Sequence, residues 1–140
     1  MRVLLDTNVL ISAFIARGAC TDLLEYCAVS HDLVSCEALL EEFRAVLIDK
    51  FHFASGQVDR AVVLLRGRLR IVVPADTPAG TCRDGDDLVV LGTAAAGECD
   101  CLVTGDRDLL SLERYGGVVI LSPEAFWRYE ATRERGGGEE

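Results

Sequence analysis

The stretch Arg2-Val3-Leu4-Leu5-Asp6-Thr7-Asn8 joins a short apolar segment directly to an acid. The stretch Cys101-Leu102-Val103-Thr104-Gly105-Asp106 repeats this order late in the chain. In an open α/β sheet, ligands bind in the crevice beyond the carboxyl ends of the strands. Carboxylates gathered there repel one another by roughly 4 kcal/mol per close pair at an effective dielectric constant of about 20. Because Mg²⁺ and Mn²⁺ prefer oxygen ligands, the two stretches predict a divalent cation site, and hence a metal-dependent enzyme.

The composition indicates one compact domain. Half of the 140 residues are apolar, which is enough for a real core, and no apolar run approaches the roughly 18 residues of a membrane-spanning helix. Asp6 and Asn8 interrupt the first apolar run, so the order typical of a signal peptide is missing. We therefore expect a cytoplasmic protein without a membrane partner. We also expect one domain over residues 1–132 and a disordered tail over the glycine-rich residues 133–140.

The net charge and the cysteine content say less about the chemistry of the protein than the two acidic stretches do. The net charge of −9 alone argues against a nucleic-acid partner, but several of these charges belong to the predicted metal site, where a cation would cancel them. Arg66, Arg68 and Arg70 alternate along the chain, which favours a solvated edge over a track for phosphates. The six cysteines include no Cys-x-x-Cys pair, so we expect reduced, mostly buried thiols without zinc.

The spacing of apolar residues predicts strands that alternate with helices. The predicted strands are residues 2–5, 32–36, 70–73, 102–104 and 118–121, and the predicted helices are residues 8–16, 21–27, 37–51, 55–69, 84–97 and one that starts at Ser122-Pro123-Glu124. Such alternation implies the α/β class, as a three-layer α/β/α arrangement with a parallel β-sheet. Right-handed crossovers then bring the acids that follow the strands to one edge.

Helix phase selects among the remaining acids. On the predicted helix 37–51, Glu42 lies at the margin of the apolar stripe, whereas Glu41 points to the opposite face. On the predicted helix 84–97, Asp87 shares a face with buried positions and Asp86 is turned towards solvent. Asp84 lies on the same face as Asp87, one turn earlier.

Each acid at a helix start has a simpler explanation, because aspartate is favoured as an N-cap and in the first turn. Taken singly, Asp6, Asp84 or Asp106 is more often a cap than a metal ligand. The joint pattern favours the site, since Asp6, Glu42, Asp87 and Asp106 come from four separate segments that point towards one edge of the predicted sheet.

Four segments, in order, resemble the acidic motifs of PIN-domain ribonucleases. They are residues 4–10 (LLDTNVL), 40–47 (LEEFRAVL), 82–87 (CRDGDD) and 102–110 (LVTGDRDLL). The ending at residues 120–126 (ILSPEAF) also resembles the bacterial subgroup of VapC-like toxins of toxin–antitoxin systems. The resemblance spans about residues 2–128 and implies a PIN-like α/β/α fold and Mg²⁺- or Mn²⁺-dependent endoribonuclease activity on single-stranded RNA.

By motif, the resemblance also implies roles for individual residues. The catalytic, metal-binding acids would be Asp6, Glu42, Asp87 and Asp106, and the supporting groups would be Asn8, Thr104, Asp108 and the extra acid Asp84. We expect Asp6 and Asp106 to hold the principal ion, and Asp87 and Glu42 to complete its shell or hold a second one. Arg83 and Arg107 adjoin acidic segments and are expected to contact RNA. The toxin resemblance implies a small antitoxin partner and leaves a homodimer open.

Two other functions stay open, and a third is disfavoured. A housekeeping PIN-type RNA-processing nuclease would share every motif, and a non-catalytic PIN-like module could bind a metal or a partner through the same acids. Phosphoryl transfer to an aspartate, as in receiver-like or haloacid-dehalogenase-like folds, is disfavoured. Those folds need a late lysine, and the only lysine here is Lys50.

Overall fold

A computed structural model of the protein describes residues 1–81 and 85–139, with side chains as far as Glu134. In the described chain the strands are β1 (Arg2–Leu5), β2 (Asp32–Ser35), β3 (Leu69–Ile71), β4 (Cys101–Val103), β5 (Arg114–Tyr115) and β6 (Val118–Leu121). The helices there are α1 (Thr7–Ile15), α2 (Ala19–Ser30), α3 (Glu37–Asp49), α4 (Ser55–Arg66), α5 (Gly85–Ala96), α6 (Arg107–Leu110) and α7 (Pro123–Glu139).

The six strands form one sheet in the order β3-β2-β1-β4-β6-β5. Every neighbouring pair is parallel except β5 with β6, which is antiparallel. The expected parallel sheet is therefore confirmed, apart from a short antiparallel strand at one edge. Leu5 of β1 lies opposite Val103 of β4, so the residues that follow these two central strands emerge side by side.

Helices cover both faces of the sheet, as expected for three layers. Side chains alternate between the two faces of a strand, and the core is divided accordingly. Val3, Leu5 and Val103 pack on one face in a cluster that includes residues of α1, α2, α3 and α7. Leu4 and Leu102 pack on the other face against α5. This two-sided burial gives the central strands their nearly continuous apolar sequences.

The segment after β3 crosses α5 at Gly92. The backbone N–H of Ala75 donates to the Gly92 carbonyl at 2.9 Å, and the Thr77 hydroxyl donates to the Leu88 carbonyl at 3.1 Å. A Cβ atom at Gly92 would overlap the backbone carbonyl oxygen of Ala75. The glycine in the middle of this helix therefore has a packing reason, because only glycine lets the crossing segment approach so closely.

The boundaries of several elements differ from the sequence prediction. The second helix was predicted to start at Thr21, but α2 starts at Ala19, and the Thr21 hydroxyl donates backwards to the carbonyls of Ala13 and Ala16, both at 3.0 Å. Thr21 therefore ties α2 to the end of α1 and is not its cap. The elements α6 and β5 were not predicted, because four and two residues are too few to show a periodicity.

The C-terminal helix and the start of the fifth helix also bear on the predicted bounds. The helix α7 runs from Pro123 to Glu139 and so extends past residue 132, the expected boundary of the domain. The division into a domain and a tail itself stays a prediction. The predicted start of the fifth helix at Asp84 lies outside the described residues, and α5 is described from Gly85.

The five described cysteines carry free thiols, four of them buried. Burial raises the pKa of Cys27, Cys99 and Cys101 to about 12, so these thiols stay neutral at physiological pH. This agrees with the expectation of reduced core cysteines. No helix in the described part of the chain is long and apolar enough to cross a membrane.

Candidate active site

Asp6 lies directly after β1 and caps the N-terminus of α1. Its Oδ1 atom accepts the backbone N–H of Thr7 at 2.7 Å, and its Oδ2 atom accepts the Thr104 hydroxyl at 2.8 Å and the Asn8 side-chain amide at 3.1 Å. The carboxylate is buried, with 6% of the residue exposed. Asp6 is therefore both a cap and a member of the site, because its hydrogen bonds reach from one central strand end to the other.

Thr104 and Asn8 join the two strand ends. The Thr104 hydroxyl donates to Asp6 and accepts the backbone N–H of Asp106 at 3.0 Å. The Asn8 side chain donates to Asp6, while its Oδ1 atom accepts the backbone N–H of Gly105 at 3.0 Å. These bonds fix the 104–106 turn against the start of α1. The sequence-based expectation that Asn8 orients Asp6 has a direct contact behind it.

The electrostatic environment of Asp6 is unfavourable to its charge. Burial raises the pKa of the Asp6 carboxyl above its ordinary value, and the nearby Asp106 carboxylate raises it further. The hydrogen bonds from Thr104, Thr7 and Asn8 lower this pKa and offset part of the effect. A positive charge near Asp6 would favour its ionised state.

Asp106 and two further acids come together in the fold. Asp87 lies buried in the first turn of α5, Asp106 caps α6, and Asp108 lies exposed in the first turn of α6. One carboxylate oxygen from each of Asp87, Asp106 and Asp108 lies within 4.8 Å of the others. The backbone N–H of Asp108 also donates to Asp106 Oδ1 at 2.8 Å, so α6 holds its two acids together. We call Asp87, Asp106 and Asp108 the acidic cluster.

The acidic cluster fits a hard divalent cation. Two oxygens on opposite sides of Mg²⁺ lie about 4.2 Å apart, twice the Mg–O distance. The oxygens of the cluster lie within 4.8 Å of one another, which is close enough for a small inward movement to let them share an ion. The cluster contains neither the histidine nor the cysteine that zinc prefers. Its chemistry suits Mg²⁺ or Mn²⁺.

The other expected site residues are placed less centrally. Glu42 was predicted to reach an internal cleft, but on α3 it is exposed, as Glu41 is, and it is not a member of the acidic cluster. Arg107 is exposed on the first turn of α6. Asp84 and Arg83 lie outside the described residues. Whether any of these four residues takes part in catalysis or RNA binding stays a prediction.

From the sequence, Asp108 was expected to be a supporting residue and not a metal ligand. In the structure it lies close to Asp87 and Asp106. The available signal was the Asp-x-Asp spacing of Asp106 and Asp108 directly after a strand. Two acids two residues apart at the start of a short helix can direct their carboxylates to one point when the first caps the helix. That short helix was not predicted, so the signal was not used.

The fold and the acidic cluster together define an α/β protein with a group of three carboxylates at the carboxyl edge of a mostly parallel sheet. The sequence matches the family model described as PIN domain over residues 2–108, which is more than half of the chain. The chain therefore belongs to the PIN-domain family, a family of nucleases.

A solved structure with the same fold supports this assignment. It is the crystal structure of VapBC2 from Rickettsia felis bound to a DNA fragment from their promoter. The match has a TM-score of 0.61 and 18% sequence identity, and it covers 86% of this chain and 97% of the other. At this identity the similarity concerns the fold. No curated protein matches the sequence significantly.

Proposed function

We propose that the protein is a Mg²⁺- or Mn²⁺-dependent endoribonuclease that hydrolyses phosphodiester bonds of single-stranded RNA. The observation that carries this proposal is the convergence of Asp87, Asp106 and Asp108 beside the buried Asp6 in a chain of the PIN-domain family. Acids held this close raise the free energy of the metal-free protein. Binding of a cation and of a substrate phosphate would explain why these acids lie so close together, whereas helix capping alone would not.

The proposed metal-binding residues are the acidic cluster together with Asp6 and Glu42. Asp87 and Asp106 would hold the ion with Asp108, and Asp6 lies close enough to Asp106 for the two carboxylates to interact. Glu42 would join through waters or a second ion. When bound, the cation activates a water and neutralises charge on the phosphoryl oxygens. This assignment gives Asp108 a larger part, and Asp6 a less direct one, than the sequence alone indicated.

The remaining groups of the site would hold the acids in position and receive the RNA. Thr104 and Asn8 keep Asp6 and the backbone of the 104–106 turn in register through the hydrogen bonds described above. A change of either residue would move the Asp106 carboxylate relative to Asp87. Arg107 is exposed next to Asp106 and Asp108, where it would pair with a phosphate of the strand, and Arg83 is proposed for the same task.

The direct test is cleavage of an unstructured RNA by the purified protein. With Mn²⁺ or Mg²⁺ we expect internal cleavage, and with excess chelator none, because in the proposed mechanism the bound cation lowers the pKa of the attacking water. End-labelled RNA resolved on a gel distinguishes internal cuts from trimming of an end. Cleavage that persists in chelator would remove the metal mechanism. A complete absence of cleavage with either cation would favour a non-catalytic PIN-like module.

We further propose that the protein is the toxin of a toxin–antitoxin pair and acts in the cytoplasm. The similarity in fold to VapBC2 and the motifs of the chain support this role, and a small antitoxin protein is the implied partner. Expression of the protein should arrest bacterial growth, and co-expression of a small neighbouring reading frame should restore it. Normal growth with an active nuclease would instead support housekeeping RNA processing. The oligomeric state stays open between a monomer and a homodimer, and the mass in solution would distinguish the two.

A further inference from the structure

A second site candidate lies at the opposite end of the sheet from the acids, where the parallel strands begin. A cavity of about 720 Å³ opens there, and its lining includes Arg2, Arg68 and Arg70. We call it the arginine cavity. Its volume falls in the range of roughly 300–1,000 Å³ that is typical of small-ligand pockets. The cation site does not explain it, because no member of the acidic cluster lines it.

The strand register brings the three arginines together. Arg2 of β1 lies opposite Asp32 of β2, and Val34, two residues further along β2, lies opposite Arg70 of β3. Because alternate residues of a strand share a face, Arg2, Asp32 and Arg70 lie on the same face of the sheet. Arg68 precedes Arg70 by two residues and lines the same cavity. Two of the three alternating arginines singled out in the sequence, Arg68 and Arg70, thus line one opening.

The charges around the arginine cavity are incompletely balanced. The Nη1 atom of Arg2 lies 3.4 Å from the Oε2 atom of Glu98, and the backbone N–H of Arg2 donates to the Asp100 carboxylate. His31, also in the lining, pairs with Glu130. Asp32 is the acid that lines the cavity itself.

Arg68 and Arg70 are different, because no acid in the described residues forms an ion pair with either. Arg66, the third member of the triplet, is bound by Glu37 and does not line the cavity. Two unpaired guanidinium groups therefore face one opening in a protein of net charge −9.

We propose that the arginine cavity binds the phosphate of a nucleotide-sized ligand, with Arg68 and Arg70 contacting the phosphate oxygens. The planar guanidinium group matches phosphate through paired N–H donors. Ala28, Leu33 and Leu69 also line the cavity. Leu33 and Leu69 are paired on the face of the sheet opposite to Asp32 and Arg70, so a base or ribose would pack around the end of the sheet. The phosphate comes either from a free mononucleotide or from a nucleotide of an RNA strand. The site goes beyond the proposed nuclease function and does not depend on it.

The test measures binding in excess chelator, so that no RNA is cleaved. Isotope-labelled protein is titrated with AMP, with inorganic phosphate and with a short single-stranded RNA, and amide shifts are followed by NMR. We expect shifts at Arg2 and at residues 68–70. The double variant Arg68→Ala, Arg70→Ala should lose at least about ten-fold in affinity, since hydrogen bonds to charged groups are each worth about 1.5–3 kcal/mol. The variant Arg66→Ala, from the same triplet, should bind like the wild type.

The outcomes separate the two ligand sources and the failure of the proposal. Binding of AMP and RNA with similar affinity identifies a mononucleotide site, whereas binding of RNA alone identifies a strand contact. Absence of binding by all three probes overturns the proposal, as does equal binding by the double variant or a shift pattern confined to the acidic edge. The spectra report folding of each variant, and Arg68→Gln and Arg70→Gln replace the double variant if it unfolds. Nuclease activity enters none of these results.

Discussion

Replacement of Asp87 or Asp106 by asparagine should lower RNA cleavage by more than about 100-fold, because loss of a mere outer-shell partner of a metal site already costs about 10–100-fold. The same changes should leave the metal-free protein as stable as the wild type or more stable. Removing one carboxylate from the acidic cluster relieves repulsion, and asparagine caps a helix about as well as aspartate. Cleavage assays and thermal melting in chelator measure the two effects.

The response to metal provides the second half of this test. Divalent cation should stabilise the wild type by mass action, by about 2.7 kcal/mol at a concentration 100 times the dissociation constant, and should stabilise the two variants much less. Asp86→Asn is the matched control, since Asp86 is exposed in the same first turn of α5 and outside the acidic cluster. If the wild type melts at one temperature with and without Mn²⁺, these acids are helix caps and the metal proposal fails.

Replacement of Gly92 by alanine should destabilise the protein by roughly 1–3 kcal/mol, the usual cost of overpacking. In an exposed helix the same change would stabilise by up to about 1 kcal/mol, because alanine is the better helix former. The sign reverses here because the added methyl group would overlap the carbonyl of Ala75. It would also push the crossing segment away from α5 and so weaken the hydrogen bond between Ala75 and Gly92. Urea unfolding curves measure the change.

Gly56→Ala is the control for this prediction. Gly56 also lies in a helix, near the start of α4, but a Cβ atom there would meet only the end of the Arg60 side chain, at 3.8 Å. Alanine at this position should therefore be neutral or stabilise by up to about 1 kcal/mol. Equal stabilisation by both substitutions would show that the segment around Ala75 does not pack on α5 in solution.

Much of the fold could be predicted because burial leaves a clear pattern in the sequence. The bounds of β1 and β6 agree with the prediction, since each is a run of apolar residues with a polar group or a turn at its end. The phase of α5 was also right, with Asp87 buried and Asp86 exposed. The errors fall on the short elements α6 and β5 and on the ends of several elements, such as α4, which ends at Arg66 and not at residue 69. They also fall on Thr21, which forms hydrogen bonds with the preceding helix and does not cap α2.

The sequence by itself determined the order of strands and helices, the family motifs and the acids that follow β1 and β4. These features depend on local composition and spacing, which a single chain records directly. Only the tertiary structure decided that Asp108 joins Asp87 and Asp106 while Glu42 stays outside that group, and that Arg68 and Arg70 share a cavity while Arg66 pairs with Glu37. These outcomes depend on how α5, α6 and the strands are placed against one another. That placement follows from packing between residues far apart in the chain, which helix phase and residue spacing do not record.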